Sequence, residues 1–434
     1  MAGSLVNALA GAAATAEAFS DAATLRHMLR FEAALTRAAA EAGLIPARHV
    51  ATIERCCDPA LYDPTALVPA ARRALTLTVA VVKALTEQVA ARDADAAGYV
   101  HWGATSQDVI DTALVLQLGE AMPPLLAGVS DIVAALADLA GRHRTTSMLG
   151  RTLLQPATPL ALGQKVAGWA ADLERARRRL VQSFADTQVL QFGGASGSLS
   201  ALGEAAGPVM ASLARDLGLA LPAAPWFANR VRLAAFAQDI ALVVGALGKA
   251  ARDIALMMQF EVGEISEPSG PGRGKSSTMP HKRNPVGAGL ALTAAARAPQ
   301  LAATIVAALP QENERALGGW QAEWTTLAAL VETLGSAVEG MAEVTPGLVV
   351  DVARMRRNLE ATSGAVLAER ATFLLAGEMG KTRAAGLVEA ALASGQPFVE
   401  ALGRFKAELS DELALLGYSP RFVDRLLAEI ADDG

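Results

Sequence analysis

Five long stretches with apolar residues at helical spacing constrain the fold of this chain more than any other feature of its sequence. They cover approximately residues 107–143, 159–190, 229–263, 285–309 and 320–342. In the third stretch, Leu233, Phe236, Ile240 and Leu247 recur at the spacing of one helix face. Helices this long, and apolar on more than one face, predict a bundle that packs on itself and on further copies of the chain.

The composition favours the same all-α fold. Hydrophobic residues make up 52% of the chain and aromatic residues only 4%, with Ala and Leu dominating, which suits helices better than strands. A net charge of -6 argues against nucleic acid or an anionic membrane as a partner. The mean hydropathy of +0.30 is high, but charged residues interrupt the longest apolar runs. We therefore expect no membrane partner, and expect the apolar surface to be buried between subunits.

The ends and the cysteines point to a cytoplasmic protein. The Ala-rich N-terminal stretch has no basic region before it, so no signal peptide is expected. The only cysteines, Cys56 and Cys57, are adjacent, and they can form neither a disulfide framework nor a four-ligand zinc site.

Three domains are expected along the chain. Shorter helices with turns occupy residues 1–104, and the long-helix bundle occupies residues 105–344, with a mobile loop at about 266–285. A smaller helical cap follows at residues 345–434, after the break at Thr345-Pro346-Gly347. We find no alternating β pattern and no nucleotide-binding fingerprint in the sequence.

The loop at residues 274–285, which reads G-K-S-S-T-M-P-H-K-R-N-P, carries the densest chemistry. It combines hydroxyls, an imidazole, cations and an amide, and the Gly and Pro residues before it hold neither a helix nor a strand. Such a loop suits a lid over an anionic substrate, although a plain solvated basic loop is the alternative. A nucleotide phosphate-binding loop is disfavoured, because Ser269 stands where that motif requires Gly and the segment before the loop is predicted to be a helix, not a strand.

Three further polar clusters lie beside the predicted long helices. The first, residues 101–108, opens the first long helix with Ser106 as its expected N-cap, where free N–H groups bind carboxylates well. The second, residues 150–159, is expected to lead into the second long helix. The third, residues 311–315, lies between the fourth and fifth helices. The first and third clusters also fit ordinary capping turns, and the second also fits an ordinary helix entry.

The four clusters, in this order around five long helices, resemble the fumarase/aspartase superfamily. The loop is the most specific part, since it is similar to the signature G-S-S-x-M-P-x-K-x-N-P, with Lys275 in place of the usual Gly. Enzymes of this superfamily take the proton α to a carboxylate and stabilise an aci-carboxylate. The resemblance implies that Ser276 is the acid/base at the carbon and that Lys282 and Asn284 hold the carboxylate.

The second cluster lacks a histidine that many members of the superfamily carry. Leu153 and Leu154 follow Thr152 where Thr-His is usual. Acid catalysis is worth about 10²–10⁴ for a poor leaving group, but a carboxylate, with a pKa near about 4, needs none. The motifs H-W-G-A-T-S-Q-D, G-R-T-x-L-Q and R-A-L-G-G-W-x-A-E-W resemble those of the 3-carboxy-cis,cis-muconate cycloisomerases, in which a carboxylate has that role. The two leucines would then line the pocket and exclude water.

This resemblance implies a homotetramer that lactonises a small tricarboxylate without metal or organic cofactor and shares each site between three subunits. The alternatives are an adenylosuccinate lyase-like enzyme that releases fumarate and a catalytically silent helical assembly protein. The expected catalytic residues are Ser276, Ser277 and His281, of which His281 is also explained as a plain loop residue. The expected substrate-binding residues are His101, Thr105, Ser106, Arg151, Thr152, Gln155, Lys282, Arg283, Asn284 and Arg315.

Overall fold

The structure is a computed structural model that describes residues 13–275 and 278–431. Its first helices are short: α1 is Ala13–Ala18, α2 Asp21–Glu41, α3 Ala47–Cys56, α4 Pro64–Ala74 and α5 Leu77–Ala90. Helix α2 begins where the Ser20 hydroxyl accepts a hydrogen bond from the N–H of Ala23 at 3.1 Å. Its buried face, which includes Met28, Leu29 and Phe31, joins the core of this region.

The long helices follow, together with a hairpin. In chain order the elements are α6 (Ser106–Arg142), β1 (Ser147–Thr152), β2 (Gln155–Ala161), α7 (Leu162–Thr187), α8 (Ala206–Leu217), α9 (Val231–Met257), β3 (Ile265–Ser266), α10 (Val286–Ala307) and α11 (Gly319–Val344). The five predicted long helices are confirmed as α6, α7, α9, α10 and α11. The largest differences are that α7 begins only at Leu162 and that α9 already ends at Met257.

The C-terminal region is helical, as predicted. After β4 (Val349–Val350) come α12 (Val352–Glu360), α13 (Ala368–Met379), α14 (Lys381–Ala393), α15 (Phe398–Leu402), α16 (Lys406–Ser410), α17 (Glu412–Leu415) and α18 (Ser419–Ala431). Leu375, Val388 and Phe398 lie in a small core of their own. The two-residue strands β3 and β4 pair antiparallel, with Ile265 opposite Val350.

Residues 150–159, interpreted from the sequence as the entry to the second long helix, form a hairpin instead. Strands β1 and β2 form an antiparallel hairpin whose register runs from Ser147 opposite Ala161 to Thr152 opposite Gln155. Pro156 and Pro159 lie in β2, and proline in a short segment normally argues against a strand. A two-stranded ribbon tolerates them, because each strand has a free edge.

The chain divides into two compact units, and the division falls inside the five long helices. One unit contains the chain up to Leu126 together with Arg178–Leu242 and Ala296–Ser336. The other contains Ala127–Arg177, Val243–Ala295 and the chain from Ala337 onward. The three domains expected at 1–104, 105–344 and 345–434 stay a prediction.

Close helix packing in the second unit depends on small residues. A Cβ atom added at Gly340 of α11 would lie 2.8 Å from the carbonyl oxygen of Gly287 on α10. A Cβ added at Gly287 would lie 2.5 Å from the carbonyl oxygen of Gly340. Any side chain at either position would therefore force the two helices apart.

Three helices, α6, α9 and α10, are long and apolar enough to cross a membrane when judged by length and composition alone. Only 39%, 56% and 28% of their most apolar windows, respectively, are buried in the single chain. These helices therefore expose apolar surface that a solvated monomer rarely retains.

Candidate active site

A buried carboxylate organises the start of α6 in the first unit. Asp108 is fully buried and accepts hydrogen bonds from the N–H groups of Thr105 at 2.9 Å, Gly193 at 2.8 Å and Gly194 at 3.0 Å. Burial raises the pKa of Asp108 to about 7, although the three N–H donors act in the opposite direction. The helix begins at Ser106, so that Thr105, not Ser106, precedes the first turn. Asp108 thus ties the α6 N-terminus to the loop at residues 193–194.

His101 lies just before this helix end and is held by an acid. Its Nδ1 atom is 2.7 Å from Oε1 of Glu32, whose side chain is almost fully buried. Burial alone would lower the pKa of His101, but the Glu32 carboxylate outweighs it and the pKa lies above its ordinary value. His101 also has a positive φ of 58°, which few non-glycine residues adopt. This site therefore favours an imidazolium ion.

Beneath the helix end lies an ion cluster with no exposed side chain. The guanidinium of Arg230 donates to Asp111 at 2.6 Å and to Glu323 at 2.9 Å, and all three side chains are 0% exposed. Asp111 also accepts from the Trp320 indole at 3.0 Å, and Glu323 from the Gln311 amide at 2.9 Å. Burial raises the pKa of Glu323, while Arg230 opposes that shift. With its charge compensated twice, Arg230 has a structural role in this cluster.

Arg315 lies beside the same helix end, with different partners. Its Nε donates to the Gln107 side-chain oxygen at 3.0 Å and its Nη2 donates to the Ala195 carbonyl at 3.2 Å. The guanidinium carbon lies 5.2 Å from the centre of the Phe227 ring. The structure thus brings four of the predicted substrate ligands, His101, Thr105, Ser106 and Arg315, into the first unit.

In the second unit the hairpin carries Arg151, Thr152 and Gln155. Arg151 makes a two-pronged ion pair with the fully buried Glu264, with N–O distances of 2.7 and 2.9 Å. The Asn358 amide donates to the same carboxylate at 2.8 Å. Arg151 therefore anchors the base of the hairpin, and its use as a substrate ligand stays a prediction.

The hairpin tip has an unusual backbone and an apolar surface. Leu153 and Leu154 have φ values of 50° and 66°, a conformation that two-residue hairpins normally reach with Asn-Gly. Their side chains are 96% and 79% exposed. Side chains this exposed do not shield a pocket of their own chain, so their predicted role in excluding water would need a neighbouring subunit and stays a prediction.

A cavity of about 530 Å³ lies beside the hairpin base. Leu149, Arg151 and Pro156 line it on the hairpin side, and Glu261, Asn358 and Val366 line it on the other. Its volume suits a small molecule, but Arg151 is already paired with Glu264, and Glu261 adds a negative charge to the lining.

The described residues of the signature loop are cationic and exposed. Lys275, His281, Lys282 and Arg283 all have exposed side chains, and none of them pairs with a carboxylate of the residues that the structure describes. Four adjacent cationic or titratable groups without acid partners favour an anionic ligand. Ser276 and Ser277, the predicted acid/base and its neighbour, lie outside the described residues.

The neck of the loop is closed by backbone contacts. Lys275 and Arg283 form an antiparallel bridge, and the N–H of Asn284 donates to the carbonyl of Gly274 at 2.9 Å. Gly274 has a φ of +61°, and a Cβ there would lie 2.6 Å from the Asn284 carbonyl oxygen, so only glycine fits. Glu267 then caps α10 by accepting from the N–H of Ala288 at 2.8 Å.

A mostly helical chain with an exposed cationic loop of this signature is typical of the fumarase/aspartase-type enzymes. The model of the family described as Lyase matches residues 10–299, and the chain belongs to that family.

Within the family, the chain is similar to proteins of one named activity. The 3-carboxy-cis,cis-muconate cycloisomerase of Bradyrhizobium diazoefficiens is 48% identical over 99% of this chain and 98% of its own length. That of Pseudomonas aeruginosa is 50% identical over 95% of this chain and 93% of its own. The crystal structure of 3-carboxy-cis,cis-muconate lactonizing enzyme from Pseudomonas putida covers 99% of both chains, with a TM-score of 0.92 and 44% identity.

Sequence reasoning missed the acids and amides that hold the predicted site residues. Glu264 lies 113 positions from Arg151 along the chain, and Glu32 lies 69 positions from His101. No local pattern connects residues so far apart. Asp108 did carry a local signal, since its place three residues after Thr105 matches a capping box.

Proposed function

We propose that this protein is an isomerase that lactonises 3-carboxy-cis,cis-muconate to 4-carboxymuconolactone, a step of protocatechuate breakdown. Relatives named for this activity match nearly the whole chain at 48% and 50% identity, which supports the proposal. The observation that carries it is the hairpin tip. Leu153 and Leu154 stand there without a histidine, as expected when the group that adds or leaves is a carboxylate.

The proposed reaction is an intramolecular addition. One substrate carboxylate oxygen bonds to the diene carbon that is β to a second carboxylate. The C=C electron pair moves onto that second carboxylate and gives an aci-carboxylate, which then takes a proton at its α-carbon. All atoms of the substrate remain in the lactone.

The roles of the side chains follow from charge. An aci-carboxylate carries two negative charges, so cations and N–H donors must surround it. Lys282 and Asn284 would hold it, with Arg283 and His281 balancing the remaining carboxylates. Ser276 would deliver the proton to the α-carbon and become an alkoxide. Its surroundings must therefore stabilise the alkoxide, which would also be the base in the reverse reaction.

We further propose that the working form is a cytoplasmic homotetramer with no nucleic-acid, membrane or cofactor partner. The apolar windows of α6, α9 and α10 are only partly buried in one chain, and self-association would cover them. The site clusters on the hairpin, the α6 N-terminus and the loop would meet between copies. Leu153 and Leu154, exposed in one chain, would then contact a neighbouring subunit.

The direct test is loss of the conjugated-diene ultraviolet absorbance of 3-carboxymuconate when purified enzyme is added. Mass spectrometry should find a product of unchanged mass, since the reaction is an isomerisation. Release of AMP and fumarate from adenylosuccinate would instead support the elimination enzyme. No turnover of either compound at high enzyme concentration would support the silent assembly protein.

A further inference from the structure

Arg315 differs from Arg151 at the hairpin base and from Arg230 in the buried ion cluster. Arg151 is ion-paired with Glu264, and Arg230 with both Asp111 and Glu323. The hydrogen bonds that the structure shows from Arg315 go only to neutral oxygens, those of the Gln107 amide and the Ala195 carbonyl. Its guanidinium is therefore oriented, and no carboxylate of the described residues pairs with its positive charge.

The Gln107 amide is held in one orientation. The side chain is 0% exposed, and its Nε2 donates to Asp111 at 3.1 Å and to the Phe227 carbonyl at 2.9 Å. Both N–H groups are thus used, and Oε1 is left to accept from Arg315. Rotating the amide by 180° would break all three bonds, so the network fixes which atom faces Arg315.

The buried ion cluster is connected to Arg315 through Gln107 and to the segment that contains Arg315 through Gln311. Asp111, which accepts from Gln107, also binds Arg230, and Arg230 binds Glu323. Glu323 in turn accepts from Gln311, which lies in the same interhelical segment as Arg315. That segment is therefore anchored to the buried cluster at Gln311 and, through Gln107, at Arg315.

The contacts also place Arg315 at the start of α6. Gln107 follows Ser106, the first residue of the helix. Ala195, whose carbonyl accepts from Arg315, follows Gly194, whose N–H donates to Asp108. A fixed guanidinium thus lies next to a helix N-terminus, and both favour a carboxylate.

We propose that Gln107 is a positioning residue that orients the uncompensated guanidinium of Arg315 toward one carboxylate of the substrate. A neutral amide oxygen can fix the direction of a guanidinium without cancelling its charge, which a carboxylate in that place would do. The proposal takes the identity of the substrate, a tricarboxylate, from the proposed function. The positioning itself depends only on the contacts around Gln107.

A double-mutant cycle tests the proposal. The variants are Gln107→Met, Arg315→Met and the double variant, assayed for KM and kcat with 3-carboxymuconate. Because hydrogen bonds to charged groups are worth about 1.5–3 kcal/mol, Gln107→Met should raise KM at least about tenfold, with a smaller effect on kcat. In the Arg315→Met background the same substitution should change KM less than about twofold, since its effect acts through Arg315. Equal effects in both backgrounds, or an unchanged KM in Gln107→Met, would overturn the proposal.

A matched control lies on the same helix. Gln117 is also buried, and its Nε2 donates to the Ala18 carbonyl at 2.9 Å and to the Thr24 hydroxyl at 3.0 Å, far from any arginine of the site. Gln117→Met should lower thermal stability and leave KM unchanged. If Gln117→Met raised KM as much as Gln107→Met does, loss of any buried amide would weaken substrate binding. That result would refute the specific role of Gln107.

Two further measurements keep the test decisive. If Gln107→Met does not fold, Arg315→Lys retains the charge without the Nε–H group. It should still raise KM about tenfold, and a KM within twofold of wild type would contradict the positioning role.

Calorimetry with tricarballylate, an unreactive tricarboxylate, separates the two proposals. Wild-type binding that weakens about tenfold in Gln107→Met supports the positioning role even if the muconate is not converted, whereas equal binding by both refutes it.

Discussion

A serine hydroxyl has a very high pKa in water, so the proton chemistry proposed for Ser276 depends on its surroundings. Ser276→Ala should lower kcat by about 10²–10⁴ with a modest change in KM, because general acid–base catalysis contributes about that much. Stopped-flow measurement of the diene absorbance would give both constants. His281→Asn is the comparison, since near-normal turnover in Ser276→Ala with a large loss in His281→Asn would assign the proton to His281.

Asp108 leads to a prediction about pH. Its pKa is raised to about 7 by burial, above the ordinary carboxyl value, so the folded state binds this proton more tightly than the unfolded state does. Its contribution to stability is therefore fully present at acidic pH and is lost as the pH rises from about 4 to about 7. The raised pKa of His101 acts in the same direction.

Urea unfolding measured across this pH range should show the unfolding free energy of the wild type falling with pH, by up to about 1.4 kcal/mol per pH unit for one proton. Asp108→Asn keeps the shape of the side chain and removes the titration, so its profile should be flatter. Equal slopes in the two proteins would show that Asp108 does not bind the proton in this range.

At the scale of elements, the hairpin tip combines local strain with exposed apolar surface. A left-handed leucine costs about 1–2 kcal/mol, and glycine removes most of that cost. Leu154→Gly should therefore preserve or raise the melting temperature but lower kcat/KM, if the tip shields the site from water. Leu75→Gly is a suitable control, because Leu75 also has a positive φ, of 55°, and ends α4 in the first unit. Leu75→Gly should be as stable as Leu154→Gly and fully active. A similar loss of activity in both variants would show that the hairpin tip has no specific role in the site.

Elements with a strong period were predictable from the sequence, and the hairpin was not. The apolar repeat through Leu233, Phe236 and Ile240 predicted α9 well at its start, Val231, because burial follows that period. The hairpin shows the opposite case. Its turn uses leucines in place of Asn-Gly and its second strand contains prolines, so each local signal indicated something else.

The site was predictable as a set of motifs but not as a set of contacts. The loop signature singled out Lys282 and Arg283 without any structure. It could not show that Arg151 pairs with Glu264, or that Arg315 has only neutral partners, because these contacts depend on tertiary packing.

At the scale of the whole molecule, the proposed tetramer predicts complementation between inactive variants. Ser276→Ala damages the loop and Arg315→Met damages the α6 cluster, so a site built from different subunits can contain one intact copy of each. When the two inactive proteins are unfolded together and refolded, random assortment should restore up to about a quarter of wild-type activity. Each variant refolded alone is the control. No recovery from mixed material that sediments as a tetramer would mean that both residues come from the same subunit.

The closed neck between Gly274 and Asn284 has a consequence for engineering. Since these two residues fix the ends of the loop to each other, exchanging side chains at residues 279–281 should change the recognition surface and leave the following helix in place. A library of variants confined to those positions should therefore change which carboxylic acid the enzyme accepts as substrate, with little loss of folded protein. Replacing Gly274 itself would prevent the two ends of the loop from meeting in every member of such a library.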